Sequence, residues 1–370
     1  MRLATYNVEN LFERARVMNL TSWSEGRAML DAYATLNAVF GKPRYGEADY
    51  RRMGQALETL GLGSADQSRF AILRQNRGRP LRARRQGALA FVAEGREDWI
   101  GWVELVNEPV NATAIDNTAR IIGLLEADIL AVIEAESRPS LRRFNEEVLA
   151  RVGARPFGHV MLVDGNDERG IDVGLLTHED LPIGAVVSHV DDRDARDATI
   201  FSRDCPEYEV LLPDGGNLLV LVNHFKSQGY GGKAASDAKR KAQAQRVREI
   251  YEQRLAEGAT RIAVVGDLNN PPDAAPLQPL LGKGGPRDVQ THSRFAADGR
   301  PGTWRNGTAA NKLDYILLSP ALWERVEAAG IERRGVWGGV HGTLFPHLDE
   351  ITREEEAASD HAALWVELKL

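Results

Sequence analysis

Short apolar runs that stop at polar residues set the rhythm of the chain. Leu3–Val8, Ile129–Ile133, Val173–Leu176, Leu218–Val222, Ile262–Val265, Tyr315–Leu318 and Ala363–Leu368 are each brief and rich in Val, Ile and Leu. Turn-forming or charged residues bound them, which is the pattern of buried strands. Elsewhere the apolar spacing widens to the helical period. Ile115, Ala119, Ile122 and Leu125 stripe a segment before Asp128, and Ala244, Val247, Ile250, Tyr251 and Leu255 stripe another before Arg261. Helices alternating irregularly with strands, hairpins among them, predict a layered α/β protein. Pro271–Pro286 and much of Gly330–Ser359 read as loop, and no internal repeat or low-complexity tract appears.

One stretch breaks the rhythm. Residues 14–110 separate the first strand from the second and read as a mostly helical insertion within a single domain spanning 1–370. Inside it Arg69, Arg74, Arg77, Arg79, Arg82, Arg84 and Arg85 occur with no acid between Asp66 and Glu94. Such a run is either a solvated face or an arm that grips phosphate, since guanidinium forks match phosphate oxygens. The second reading makes Arg82, Arg84 and Arg85 candidate substrate-binding residues.

The composition, 43% hydrophobic and 27% charged, is that of an ordinary globular protein and argues against disorder. A net charge of −7 does not advertise nucleic-acid binding, although local patches matter more than the total. The single cysteine, Cys205, excludes an internal disulfide and a cysteine-rich zinc site. No run approaches the roughly 18 apolar residues that cross a bilayer, and the first residues lack a signal-like pattern. A cytoplasmic location, with no membrane and no obligatory protein partner, is the expectation.

Six polar clusters lie at the ends of the apolar runs: Thr5–Asn10, Asp128–Glu134, Val222–Ser227, Gly266–Asn269, Lys312–Leu318 and Ser359–His361. In a strand, positions two apart share a face, so Asp267 and Asn269 are expected to project together and to strip a proton from water. The set as a whole supplies oxygen ligands in Glu134 and Asp360, and polar orienters in Asn7 and Asn269. It adds candidate bases in Asp267 and the Asp314–His361 pair, and imidazoles in His224 and His361. Hard oxygen ligands with few histidines suit Mg²⁺ or Mn²⁺ better than zinc. That inventory fits metal-assisted attack of water on a phosphoester.

In their order along the chain these motifs resemble the endonuclease/exonuclease/phosphatase superfamily, which includes DNase I-like nucleases, abasic-site endonucleases, inositol-phosphate phosphatases and sphingomyelinases. The resemblance covers residues 1–12 and about 120–370. It implies a four-layer αββα sandwich, two mixed β-sheets face to face with helices outside and the site at one edge. It also implies that Glu134 binds the metal, with Glu136 a neighbouring acid that lies at the surface or behind the ligands, and that Asn7 supports the metal ligands. Asp267 and Asn269 match the pair that positions the nucleophilic water, and Asp360 the carboxylate near the metal. His361 matches a phosphate-contacting histidine oriented by Asp314. His224, in Asn-His-Phe-Lys, matches a histidine that faces the scissile phosphate. Lys226 either reaches phosphate or lies exposed, Arg169 either clamps phosphate or forms a structural salt bridge with Asp172 near a turn, and Trp304 either packs in its loop or stacks on a base or sugar.

Two substrates fit this reading. One is nucleic acid, DNA in particular, supported by the arginine run. The other is a small-molecule or lipid-headgroup phosphoester, which the same residues serve equally well. A non-catalytic binding module is a third possibility in principle, but every expected polar position is filled.

Overall fold

The apolar runs pair into two six-stranded mixed sheets. In the computed structural model, which describes residues 1–20, 23–79, 81–85, 88–167, 169–228 and 232–370, the side chains at 19, 23–25, 83–85 and 88–89 also lie outside the description. The first sheet runs in the order Val326–Glu332, Ala363–Leu368, Arg2–Asn7, Ile129–Ala135, Asp172–Thr177, His159–Leu162. The second runs Ile183–Val187, Glu207–Leu211, Asn217–His224, Ile262–Asp267, Asp314–Leu318, Arg287–Asp288. Each sheet holds one parallel pair at its centre, Arg2–Asn7 with Ile129–Ala135 and Asn217–His224 with Ile262–Asp267. The other pairings are antiparallel.

Strand alternation sorts these residues into layers. Leu3, Ile129, Ala131, Ile133, Val173 and Leu364 of one sheet pack against Val220, Val222, Ala263, Val265 and Ile316 of the other. The opposite face of the first sheet, with Ala4, Tyr6, Leu130 and Val132, is covered by Ala119, Ile122 and Leu125 of the helix Ala112–Leu125, and by Leu141, Phe144 and Val148. The opposite face of the second, with Leu221, Val264, Tyr315 and Leu317, is covered by Ala244, Val247, Ile250 and Tyr251 of the helix Lys233–Ala256. The result is the helix–sheet–sheet–helix sandwich that the resemblance implies. None of the helices among the described residues is long and apolar enough to cross a membrane.

Charge as well as apolar packing fastens the helix Lys233–Ala256. Arg254 forks both oxygens of Glu207 at 2.7 Å, and Arg246 Nε donates to Asp192 Oδ2 at 2.6 Å. His189 lies between the same two acids, 3.0 Å from Asp192 and 2.9 Å from Glu207.

A contact-based division separates residues 13–109 and 228–233 from the rest. That unit has its own core, in which Leu36, Val39 and Phe40 of the helix Trp23–Phe40 meet Met53 and Leu57 of the helix Glu47–Thr59, with Trp99 and Val103 beside them. Phe40 and Trp99 pack edge to face at 4.7 Å. The expectation of a mostly helical insertion holds over residues 23–59 and needs correction beyond them. Ala71–Gly78 pairs with Trp99–Leu105, Arg82–Arg85 with Ala88–Phe91, and Glu13–Ala15 with Asn107–Pro109. The strand signal was present in the alternation of buried Ala71 and Leu73, and of Trp99, Gly101 and Val103. Arginines at the outward positions masked it.

Burial alone would lower the pKa of His189, but Glu207 and Asp192 override it and hold the imidazole above its ordinary value. A raised folded-state pKa adds stability that is complete below the unfolded value and fades as pH rises through the folded one. Urea unfolding of His189→Gln is therefore expected to show its largest deficit against the wild type below about pH 6.5, the ordinary imidazole pKa. The deficit should shrink towards pH 9, and one that grows with pH would show that His189 acts as a neutral ring.

Candidate active site

Register brings the polar residues together. His224 lies opposite Asp267, and Asp267 opposite Asp314, on three neighbouring strands. By period two each continues an inward column, Val220–Val222 into His224, Ala263–Val265 into Asp267, and Leu318–Ile316 into Asp314. Asn7 does the same for Leu3 in the other sheet. The inter-sheet core thus ends in a buried polar layer, with Asn7, His224, Asp267, Asp314 and His361 all under one tenth exposed.

Glu134 reaches this layer by a different route. Alternation would turn it outward after Ile133, but Asp172 pairs with Ala135 and Val173 with Ile133, which leaves Glu134 as an extra residue. Its φ of 70° lies in the left-handed region. This is a β-bulge that re-aims a side chain, and a non-glycine residue held there stores of order 1–3 kcal/mol of strain. The turn places Glu134 Oε1 3.4 Å from Asn7 Nδ2, which is also 3.3 Å from Asp267 Oδ2. His224 Nε2 approaches the same two oxygens at 3.5 and 3.8 Å.

Asp314 holds His361 Nδ1 at 2.8 Å and accepts the Thr303 hydroxyl at 2.5 Å on the same oxygen. Its other oxygen is buried without a hydrogen-bond partner among the described residues. Ser359 Oγ donates to the Asn7 carbonyl at 2.7 Å and accepts His361 N at 3.0 Å, fastening the segment before Ala363–Leu368 to the end of Arg2–Asn7. Asp360 is held by Trp304 Nε1 at 2.6 Å and lies 3.7 Å from His361 Nε2, so His361 stands between Asp314 and Asp360. The Trp304 indole N–H thus holds a carboxylate.

The two imidazoles are driven apart. Burial, followed by the charges of Arg203 and Arg169, pushes His224 well below its ordinary pKa, so the ring is neutral. Burial acts on His361 in the same sense, but the charge and hydrogen bond of Asp314 overcome it and keep the ring protonated. Asp267 is pushed well above the carboxylate range, first by burial and then by Asp314. Separated titrations of this kind divide acid from base roles.

Several sequence-derived placements change. The strand ends at Asp267, so alternation does not reach Asn269, whose φ is 54°. Asn269 holds the site differently, with its backbone N–H donating to Asp267 Oδ1 at 2.8 Å and its amide to the Phe225 carbonyl at 3.2 Å. Glu136 Oε1 accepts the backbone N–H groups of Leu11 and Phe12 at 3.0 and 2.7 Å, a structural clamp. Arg169 forks Asp167 at 2.9 and 2.8 Å, whereas Asp172, expected as its partner, accepts Gly165 N. Arg82 donates to Asp66 and to the carbonyls of Leu62 and Ala65, bracing its own unit. The side chains of Arg84 and Arg85 lie outside the described residues. Thr303, Ser359 and Arg203 are not among the expected site residues; Ser359 lies in the Ser359–His361 cluster and Thr303 beside Trp304, but nothing local marks Arg203.

Asp267, Asp314 and His361 offer ligand atoms within 4.8 Å of one another. The unpartnered Asp314 oxygen, two buried acids and Glu134 across the Asn7 amide form a mainly oxygen donor set that suits a hard divalent cation. Because Asp314 engages His361 Nδ1, Glu134 is the better ligand, with Asp360 beyond His361.

A family model described as endonuclease/exonuclease/phosphatase family matches residues 91–323, more than half of the chain. An endonuclease/exonuclease/phosphatase family protein of Bacteroides thetaiotaomicron superposes with a TM-score of 0.50 at 17% identity, covering 68% of this chain and 85% of that one. A mannosyl-6-phosphatase of the same organism gives 0.49 at 16% identity over 69% and 90% of the two chains. The catalytic domain of human Nocturnin gives 0.47 at 16% over 71% and 88%. No curated protein matches the chain. By family match, and with a fold to suit it, the chain belongs to the endonuclease/exonuclease/phosphatase family, whose members are metal-dependent phosphoester hydrolases.

Proposed function

We propose that this chain is a divalent-metal-dependent phosphodiesterase that hydrolyses nucleic acid, DNA foremost, by attack of an activated water on phosphorus. The observation that carries the reading is the alignment of His224, Asp267 and Asp314 across three strand ends, facing Asn7 and Glu134 of the other sheet. Glu134, supported by Asn7, would hold Mg²⁺ or Mn²⁺, which when bound stabilises negative charge on phosphate and leaving oxygen.

The residues divide the remaining work. Asp267 has the raised pKa of a general base and is steadied by the Asn269 N–H. His361 presents an imidazolium charge to phosphate, kept protonated and oriented by Asp314, which Thr303 in turn orients. His224, neutral and buried, offers a ring N–H to the same region.

For nucleic acid as substrate, the support is charge distribution. Residues 13–109 carry 15 Lys and Arg against 12 Asp and Glu, in a chain whose net charge is −7. Arg77 and Arg79 are exposed there. A small-molecule or lipid-headgroup phosphoester is the second reading. It draws on the pairing of Arg74 with Glu104 and Arg82 with Asp66, which takes two of the arginines out of the run.

Supercoiled plasmid incubated with the protein and Mg²⁺ or Mn²⁺ is expected to be nicked, and EDTA to abolish nicking. Intact plasmid alongside hydrolysis of a small phosphomonoester would transfer the assignment to the second reading. His361→Ala and Asp267→Asn should each lower turnover by at least about a hundredfold, the scale of a lost general base or charge stabiliser. Near-wild-type rates would mean that the roles are misassigned. Calorimetric titration with Mn²⁺ should show binding to Glu134→Gln weakened by at least about tenfold. Equal affinity would remove Glu134 from the metal ligands.

A further inference from the structure

The strand pair Ala71–Gly78 and Trp99–Leu105 has two faces, and the catalytic chemistry leaves the outer one unused. Ala71, Leu73, Trp99 and Val103 turn inward to the core of their unit. Alternation puts Ile72 and Arg74, with Ile100, Trp102 and Glu104 of the partner strand, on the outer side. Period two would return Arg77 to the core side. Instead Gln75 pairs with Gly101 and Arg77 with Ile100, so Asn76 is the extra residue of a bulge and Arg77 rejoins the outer face. Trp102 is 41% exposed, and Arg74, Arg77 and Arg79 are exposed as well.

Glu104 organises this face. One of its oxygens accepts the Trp102 indole N–H at 2.8 Å, and the other accepts Arg74 Nε at 2.8 Å. The first bond sets the plane of an indole that would otherwise turn freely. The second leaves the two Nη groups of Arg74 without a hydrogen bond among the described residues. Glu104 offsets the charge of Arg74, so the net positive charge comes from Arg77 and from Arg79 just past the strand end. Both lie in the stretch that has no acid between Asp66 and Glu94. An oriented ring beside guanidinium forks complements a strand with unpaired bases, because the ring stacks on any base and the forks meet phosphates. A duplex keeps its base faces within its own stack. An acidic polypeptide would match the arginines and leave the oriented indole without a partner.

We propose that this outer face is a docking surface for single-stranded nucleic acid, on which Trp102 stacks against a base while Arg74, Arg77 and Arg79 meet the phosphates beside it. The inference rests on the nucleic-acid reading and narrows it to substrates with an unpaired stretch. The surface lies wholly within the unit of residues 13–109 and 228–233, which the chain joins to the catalytic unit. Such tethering raises the local concentration of a captured strand, so the surface acts on KM rather than on kcat.

Fluorescence anisotropy of a labelled oligothymidylate, recorded with the full chain in EDTA, separates binding from cleavage. The wild type should bind it at least about tenfold more tightly than a duplex of equal length, and Trp102→Ala should weaken binding at least about fivefold. Arg77→Gln combined with Arg79→Gln should lower the slope of log Kd against log salt by roughly 1.4, at ~0.7 for each phosphate contact on a single strand. A purely structural role would not move that slope. Hydrolysis of a small chromogenic phosphodiester should be unchanged in these variants, and a parallel loss there would reduce the residues to structural ones and overturn the inference. Duplex bound as tightly as the single strand, or variants that bind like the wild type, would overturn it too. Displacement of the oligonucleotide by polyglutamate at equal charge would overturn it by reassigning the face to an acidic protein segment. A wild type that binds neither nucleic acid yet nicks plasmid overturns this inference alone, and one that does neither overturns the nucleic-acid reading with it. If Trp102→Ala lacks a cooperative thermal transition, the salt slope of the arginine variant decides.

Discussion

Asp267 and Asp314 stand opposite each other on adjacent strands, at a register position that the apolar columns beneath them dictate. Neither carboxylate can leave without dragging a strand out of the core. Two like charges in low dielectric repel strongly, so the layer must be neutralised by a proton, an imidazolium or a cation. His361 supplies one positive charge and is raised in pKa for that reason. Glu134, aimed into the same layer by its bulge, adds a further acid and so a demand for further positive charge. The chemistry of the site follows from this enforced crowding.

The arrangement also shows why both sheets are needed. His224, Asp267 and Asp314 come from one, and Asn7 and Glu134 from the other. Two contacts stitch them, Asn7 Nδ2 to Asp267 Oδ2 and His361 Nδ1 to Asp314 Oδ2. Large loss of inter-sheet packing would separate the acids and lower their mutual effect. Core and site are therefore one electrostatic and mechanical object.

Much of this was legible in the sequence because strand ends advertise themselves. An apolar run closing on Asn7, His224 or Asp267 states both its direction and its functional end, and the alternation assigns the face. Legibility failed where a single residue broke the period. Glu134 reaches the site only through a bulge, and Asn269 lies past the end of its strand, so period two describes neither. It failed again where the partner is distant in the chain. Arg203 meets Asp167 and Phe225 across 36 and 22 positions, and no local pattern announces such a meeting. In the insertion the outward arginines of Ala71–Gly78 hide the inward alternation of Ala71 and Leu73, so the sequence suggests helix where a sheet pair forms.

Glu136 gives the insertion a further meaning. Its carboxylate grips the N–H groups of Leu11 and Phe12, and the Phe12 carbonyl accepts Val110 N at 2.8 Å. The chain thus leaves for the insertion and returns from it at two hydrogen-bonded neighbours. Once such a gate is closed by local bonds, the entropy of the loop it spans grows only logarithmically with length, about 0.6 kcal/mol for each doubling. Evolution could lengthen, shorten or exchange what hangs from residues 12 and 110 while the catalytic sandwich keeps its register. The fold carries a socket at Phe12 and Val110, and the insertion hangs from it.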